Sequence, residues 1–232
     1  MENRQKTITP RVIILLVIFI VVVPFLPLLV SWSWDWWEAW VYGFINIAGF
    51  AVSRALAARR YPDLIKERAQ FMKHEKVKPW DKVLAPLLGL GGGLIPLVAG
   101  LDKLLDWSPA FGMPVKGIAL LLMLAGYALG SYALIENRFF SGMVRIQSDR
   151  GHRVVSSGPY RWVRHPGYTG AIWTYLATPL LLDSGWTFIP AVFLMTVLIV
   201  RTALEDKTLH VDLEGYSDYA GNVRYRLLPG VW

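Results

Sequence analysis

The sequence predicts an all-α integral-membrane protein of about six membrane-embedded helices. Three observations carry this. Hydrophobic residues make up 54% of the 232 residues and charged ones only 18%, short of the ~25% typical of a soluble domain. The apolar residues gather into long uncharged runs, and a bilayer core ~30 Å thick needs roughly 20 such residues in a helix. The remaining charge is basic, +7 at pH 7, and it is spread unevenly along the chain. The lack of cysteine excludes a disulfide scaffold and a zinc–thiolate site. The apolar content excludes a disordered chain.

Taken in order, Val12–Trp34 carries no charge and forms the first span. Its run exceeds the ~7–15 residues of a signal-peptide core and no small-x-small cleavage site follows, so it reads as an anchor. Ala39–Ser53 gives the second, extendable through Ala58 if Arg54 snorkels. Val83–Leu101 and Gly117–Ile135 give the third and fourth. Gly167–Leu182 and Ser184–Val200, parted only by Asp183, form a C-terminal pair. That pair is either two short spans or a helical hairpin dipping into the bilayer.

With the N-terminus inside and six crossings, all of the 24 basic residues except Lys103 and Lys116 fall on one side. Cytosolic loops carry such an excess, so both termini are expected to face the cytosol. The positive charge is then topological, and no patch interleaves bases with aromatics to suggest nucleic acid. Trp32, Trp34, Trp36, Trp37 and Trp40 crowd the first outer turn, and Trp107 and Trp186 occupy the other two. This is the aromatic belt of a membrane interface. Gly89, Gly91, Gly92 and Gly93 in the third span nearly spell a dinucleotide fingerprint. Leu94 occupies the third glycine position, however, and no strand precedes the run. These glycines, and the GxxxG of Gly126 and Gly130, read as places of close helix approach. In the basic linker, residues 54–82, the residues Leu64, Ile65, Arg68, Phe71 and Met72 have rough helical spacing. They suggest a surface helix attracted to anionic lipid.

The chain divides into residues 1–136, N-terminal helices with their basic linker, and residues 137–232, where the chemistry concentrates. There is no HExxH, GxSxG or Walker loop. The histidines His74, His152, His165 and His210 are scattered, so no metal site is expected. Arg145, Arg150, His152, Arg153, Tyr160, Arg161, Arg164, His165 and Tyr168 are instead dense, punctuated by Gly158-Pro159 and His165-Pro166-Gly167. Each has a plainer reading: the arginines as topology signals, Tyr160 as an interfacial aromatic, His165 as a helix cap. Glu205 and Asp206 resist one. They end an apolar helix where the dipole disfavours an acid, and Arg201 and Glu205 share a face at i, i+4. A positive partner or ligand is expected there.

In order, the chain holds Gly151-His152-Arg153-Val154-Val155, Gly158-Pro159-Tyr160, and Arg164-His165-Pro166-Gly167-Tyr168-x-Gly170. Arg201-x3-Glu205-Asp206-x2-Leu209 and Gly215-Tyr216-x2-Tyr219 follow. The set resembles the isoprenylcysteine carboxyl methyltransferase family, whose wider clan includes phospholipid N-methyltransferases. The resemblance covers about residues 137–232, and Lys78-Pro79-Trp80-Asp81-Lys82 looks like the shorter prokaryotic members. It implies a membrane enzyme that uses S-adenosylmethionine in a cytosol-facing pocket. It places the cofactor against His152, Arg153, Val154, Val155, Tyr160, His165, Pro166, Gly167, Tyr168 and Glu205, and the acceptor against Arg201. Arg145 stands where the family has a cofactor-touching glutamine, with Gln147 nearby, and Asp206 replaces the commoner glutamate.

The residue types suit that chemistry. Glu205 can hold the ammonium or a ribose hydroxyl, the histidines and loop backbone the carboxylate or adenine, and Tyr160 or Tyr168 can stack. Catalysis is assigned to Arg201 and Glu205. Methyl transfer gains mostly from positioning and desolvation, and a carboxylate acceptor needs only an arginine to orient it. The expected reaction is O-methylation of an isoprenylcysteine-type carboxylate that enters from the bilayer. Phospholipid or amine N-methylation and thiol S-methylation are the alternatives. An NADPH-dependent sterol-type reductase and a non-catalytic scaffold are more distant.

Overall fold

The computed structural model describes residues 17–69 and 77–232, which form helices and loops with no strand among them. Arg4, Lys6, Arg11, the start of the first span, Phe71, Met72 and His74 lie outside the described residues. The described part of the first span is not a uniform helix. A π-turn (Ile18–Val22) and a 3-10 turn (Val23–Phe25) lead into α1, Leu26–Ser31. Pro24 and Pro27 explain the irregularity, since each lacks an N–H and its ring crowds the preceding turn.

Helix α2 (Trp37–Arg60) carries Glu38 in its first turn and Arg59 and Arg60 in its last, matching the helix dipole. It stops at Tyr61, which precedes Pro62 and is pushed out of the helical region (φ −139°, ψ 84°). Pro62 then opens α3 (Pro62–Ala69). The third span is two helices, α4 (Asp81–Gly91) and α5 (Leu94–Leu105), broken at Gly92-Gly93 as kinks at glycine usually are. There follow α6 (Met113–Glu136), α7 (Pro166–Leu181), α8 (Phe188–Asp212) and α9 (Tyr216–Asn222).

Among the described residues, four helical segments are long and apolar enough to cross a membrane: α2, α4–α5, α6 and α8. The C-terminal pair is therefore unequal. Helix α7 has 16 residues, whereas α8 has 25 and is no short hairpin arm. Charges at Arg201, Glu205 and Asp206 cut the uncharged run short, yet Arg201 and Asp206 are buried in ion pairs, so the helix continues through them. Ile118 and Leu121 of α6, and Ile189, Val192 and Ile199 of α8, are exposed. Such apolar surface suits a lipid environment. The structure is all-α and integral to the membrane.

The glycine expectation holds at Gly91 and Gly126, whereas a Cβ on Gly89 or Gly130 would meet nothing within 4 Å. A Cβ on Gly170 of α7 would lie 2.9 Å from the Gly130 nitrogen and would strike the Gly126 carbonyl oxygen. The backbones of α6 and α7 therefore touch, which fixes the start of α7 against the end of α6. Gly91 similarly meets Leu194 of α8.

One pole of the bundle gathers Lys116, which pairs with Glu38 and with Asp183 (2.6 Å). Asp102 accepts from Ser108 (2.8 Å) and Ser184 there. Trp107 and Trp186 meet at 5.6 Å, and Lys103 sits over the Trp36 ring. The opposite pole brings together the end of α2 and the end of α6 through Arg60–Glu136 (2.8 Å), with the start of α7 and the end of α8. Helix α3 forms in part of the predicted linker helix but serves a different purpose. Leu64 is fully buried, Asp63 bonds Arg138 and Arg150, and Glu67 bonds Arg145. These charges brace the loop after α6 instead of meeting lipid.

Candidate active site

The loop between α6 and α7 is built from internal hydrogen bonds. Asn137 ends α6, accepting the Phe139 N–H (2.8 Å) and donating to the Tyr160 hydroxyl (3.2 Å). Gln147, almost fully buried, donates to the Phe139 carbonyl (2.7 Å) and accepts from Arg150. Gly151 adopts a left-handed φ of 62° that turns the chain back. The Gln147 N–H then donates to His152 Nδ1 (3.3 Å), and the His152 ring sits 4.6 Å from that of Phe139. Burial first, then the charges of Arg145 and Arg150, push the His152 imidazole down to about 4. It is therefore a neutral acceptor at physiological pH.

A second turn, Gly158–Arg161, buries Tyr160, whose carbonyl accepts from the Tyr219 hydroxyl (2.7 Å). Burial raises the Tyr160 phenol well above its usual range, so it stays protonated. The C-terminal strap holds the start of α7. The N–H groups of Arg164 and His165 donate to the carbonyls of Tyr225 and Arg226, both at 2.9 Å. Pro166 opens α7 and does not line the cleft described next.

Between these parts lies a cleft enclosing about 790 Å³, open solvent included. The structure brings Arg145, His152, Arg153, Val154, Val155, Tyr160, His165, Gly167, Tyr168, Arg201 and Glu205 together around it. Arg161 is exposed and does not line it. Arg145 borders the space, but its guanidinium is engaged by Glu67 (2.9 and 3.0 Å) and Asp149 (2.7 Å). His165 lies parallel to Tyr168, with ring centres 5.7 Å apart, and its Nε2 is 3.3 Å from Asp206.

The centre of the cleft is a relay of polar groups. Asp81, fully buried at the start of α4, grips Arg201 with both oxygens (2.6 and 2.9 Å). One Asp81 oxygen also takes the Val144 N–H (2.6 Å). Arg201 Nη1 donates to the Tyr168 hydroxyl (2.5 Å), which donates to Glu205 Oε2 (2.5 Å). Arg201 Nη2 also reaches the Gly142 carbonyl (3.2 Å). A guanidinium has five N–H groups, so one on Nη1 has no protein acceptor among the described residues. Glu205 Oε1 likewise has no donor among them.

Asp206, the next residue, differs completely. Arg164 holds it bidentately (2.8 and 3.0 Å), and Arg226 and the Tyr216 hydroxyl each bond it at 2.8 Å. It ties α8, α9 and the strap to the start of α7 and is 1% exposed. The positive partner expected for the acidic pair is thus real, and it belongs to Asp206. The sequence reading missed Asp81, Asn137, Phe139, Phe140, Leu209, Leu213, Tyr216 and Tyr219. The Tyr-x2-Tyr spacing signalled the last two, whereas Asp81 lies far away along the chain. Among the described residues, no group of three or more His, Asp or Glu side chains could hold a metal ion.

Comparison with known proteins meets this geometry. Residues 119–211 match the model of the isoprenylcysteine carboxyl methyltransferase (ICMT) family. The chain is 30% identical over 91 residues to the protein-S-isoprenylcysteine O-methyltransferase of Saccharomyces cerevisiae, covering 39% of this chain and 38% of that one. It is 29% identical over 69 residues to the probable protein-S-isoprenylcysteine O-methyltransferase of Oryza sativa subsp. indica, covering 29% and 36%. It is 38% identical over 60 residues to the uncharacterized protein YpbQ of Bacillus subtilis, covering 25% and 36%. The matched segments span a little over a third of these relatives' own length. From the second turn of α6 to the last turn of α8, the segment that sets Tyr160, His165, Tyr168, Arg201 and Glu205 around one cleft, this chain matches the isoprenylcysteine carboxyl methyltransferase family.

Proposed function

We propose that the protein is an S-adenosylmethionine-dependent membrane methyltransferase whose acceptor is a lipophilic carboxylate of the isoprenylcysteine type. One observation carries the reading: a single cleft holds both Glu205 Oε1 and an Arg201 Nη1 N–H without partners among the described residues, joined through Tyr168. One group suits a cation or hydroxyl, the other an anion. The lining fits the cofactor's chemistry. Val154, Val155, Leu209 and Leu213 form an apolar wall beside Tyr160 and Tyr216 on which a purine can rest, and Glu205 suits the ammonium or ribose end. Bound there, S-adenosylmethionine supplies an electrophilic methyl group for in-line displacement.

The protein's own contribution is orientation. Asp81 fixes the guanidinium fork of Arg201 so that its remaining N–H points at the acceptor. Arginine directs planar anions better than lysine does. A carboxylate acceptor needs no base, and the donor that Arg201 offers it is cationic, which favours O-methylation over transfer to an amine. The names of the yeast and rice relatives support the same acceptor class. Cofactor entry, both termini and the basic pole belong on the cytosolic side in this reading, with the acceptor arriving from the bilayer.

The test uses the protein purified in detergent with labelled cofactor. Label should pass to a prenylcysteine mimic and not to phosphatidylethanolamine or small thiols, and Glu205→Ala and His165→Ala should lose cofactor binding. A protein that does not bind the cofactor, or that binds it unchanged in both variants, is not this enzyme.

A further inference from the structure

Each end of α7 is followed or preceded by an exposed tryptophan. Trp186, just beyond its C-terminus, is 50% exposed, and Trp162, just before its start at Pro166, is 62% exposed. The 16 residues of α7 rise about 24 Å, which with the flanking turns approaches the ~30 Å of a bilayer core. Indole rings gather at both membrane–water interfaces. Trp186 belongs to the tryptophan-rich pole, so Trp162 stands where the second interface is expected.

The neighbours of Trp162 are basic and aromatic. Arg161 precedes it and is exposed. The strap brings a second such pair alongside. The Arg164 N–H donates to the Tyr225 carbonyl (2.9 Å), and Arg164 Nη1 donates to the carbonyls of Val223 (2.8 Å) and Arg224 (3.0 Å). Arg224 and Tyr225 are both exposed. Among the described residues, neither the Arg161 nor the Arg224 guanidinium has a hydrogen bond or ion pair. Asp206, the acid enclosed by this region, is taken by Arg164 and Arg226. None of the four exposed residues lines the cleft.

Beyond them the strap meets the lipid-facing surface. Leu227 is buried with Ile172 of α7 and Leu198 of α8, and Leu228 and Trp232 pack against that cluster. Val231 is 77% exposed, and Ile199 and Val200, which follow Leu198, are exposed as well. A soluble acidic partner would account for the two arginines but not for an exposed indole beside this apolar surface. A bilayer edge with anionic headgroups accounts for both.

We propose that Arg161, Trp162, Arg224 and Tyr225 form a docking surface for an anionic phospholipid headgroup of the surrounding bilayer, separate from the cleft and from any methyl acceptor. The arginines meet the phosphate, and the aromatic rings rest at the boundary between headgroup and chain. Tyr160 precedes the first pair, and the Arg226 carbonyl holds the His165 N–H (2.9 Å). A headgroup shared by both pairs therefore clips the Gly158–Arg161 turn to the strap beside the site. Docking does not depend on the methyltransferase reading.

The full-length protein is reconstituted without cofactor into phosphatidylcholine vesicles that contain equal fractions of either dibrominated phosphatidylglycerol or dibrominated phosphatidylcholine. Subtracting the emission of Trp162→Phe from that of the wild type isolates Trp162. Brominated phosphatidylglycerol should quench it at least twofold more strongly than brominated phosphatidylcholine, and concentrated NaCl should remove the excess. The double variant Arg161→Gln/Arg224→Gln should also remove it, with the unfolding midpoint unchanged because both side chains are exposed. Arg59→Gln/Lys207→Gln removes two exposed cations elsewhere and should keep it. Equal quenching by the two lipids in the wild type overturns the proposal, as does an unquenched Trp162 or an excess that survives loss of Arg161 and Arg224. Equal loss in the Arg59/Lys207 control reduces the effect to net charge and overturns it too. Selective quenching in a protein that never binds the cofactor would sink the methyltransferase reading and leave this surface standing.

Discussion

The two poles of the bundle both bury charges and treat them differently. At the tryptophan-rich pole Lys116 meets two carboxylates, Asp183 also accepts the Phe111 N–H (2.7 Å), and Asp102 meets two hydroxyls. This cluster is a clasp between α2, α6 and the α7–α8 turn. At the other pole Asp206 is just as saturated, while among the described residues its neighbour Glu205 keeps one oxygen open and Arg201 keeps one N–H. Saturation, more than charge or burial, separates groups that hold the fold from groups that wait for a ligand. Breaking a saturated cluster should cost stability, and altering the open one should cost function.

The largest effect is expected at Asp206. Removing it in Asp206→Ala leaves the buried Arg164 without a counter-charge and frees the strap from α8. Loss of one partner of a buried pair costs about 3–5 kcal/mol, so thermal unfolding in detergent should show a fall in midpoint of many degrees. A small change with lost activity would instead place Asp206 in the chemistry and erase its contrast with Glu205.

Arg201→Lys comes next and should invert the pattern. The charge toward Asp81 is kept, but the fork that reaches Tyr168 and the acceptor together is lost. Methyl transfer should drop by roughly 10²-fold, about 2.7 kcal/mol, with cofactor affinity within a few-fold of wild type and little change in the unfolding midpoint. Lys116→Met belongs with Asp206 but is milder, because Asp183 is partly solvated. It should cost about 2 kcal/mol of stability and leave the KM for the acceptor untouched.

Much of this division was legible in the sequence, and its gaps have physical causes. The runs Ala39–Ser53, Val83–Leu101 and Gly117–Ile135 located three spans because lipid demands continuous apolar length. The span α8 was read short because formal charge cannot reveal that Arg201 and Asp206 are neutralised by residues elsewhere in the fold. The motif His165-Pro166-Gly167-Tyr168 named the site, and its Gly170 proved to serve helix contact with Gly126 and Gly130. Asp81 could not be found by spacing, since it meets Arg201 across 120 residues of chain. Nothing in the acidic pair itself told Glu205 from Asp206. Only the partners do, and those come from the strap and α9.

The smallest effect tests whether His152 belongs to the open or the closed class. Its Nδ1 accepts the Gln147 N–H, so the fold needs the imidazole neutral. The folded value of about 4 lies below the usual 6.5. Protonation therefore favours the unfolded chain, and the stabilising contribution is complete above pH 6.5 and is lost as pH falls toward 4. Carboxylates titrate in the same window, so the informative quantity is a difference. His152→Asn keeps an acceptor near the position of Nδ1 and removes the titration. The unfolding midpoints of the two proteins should converge as pH drops from 6.5 to 4. Parallel midpoint curves would mean that His152 is already solvated and free to turn toward a ligand, which would move it from the framework of the loop to the open side of the cleft.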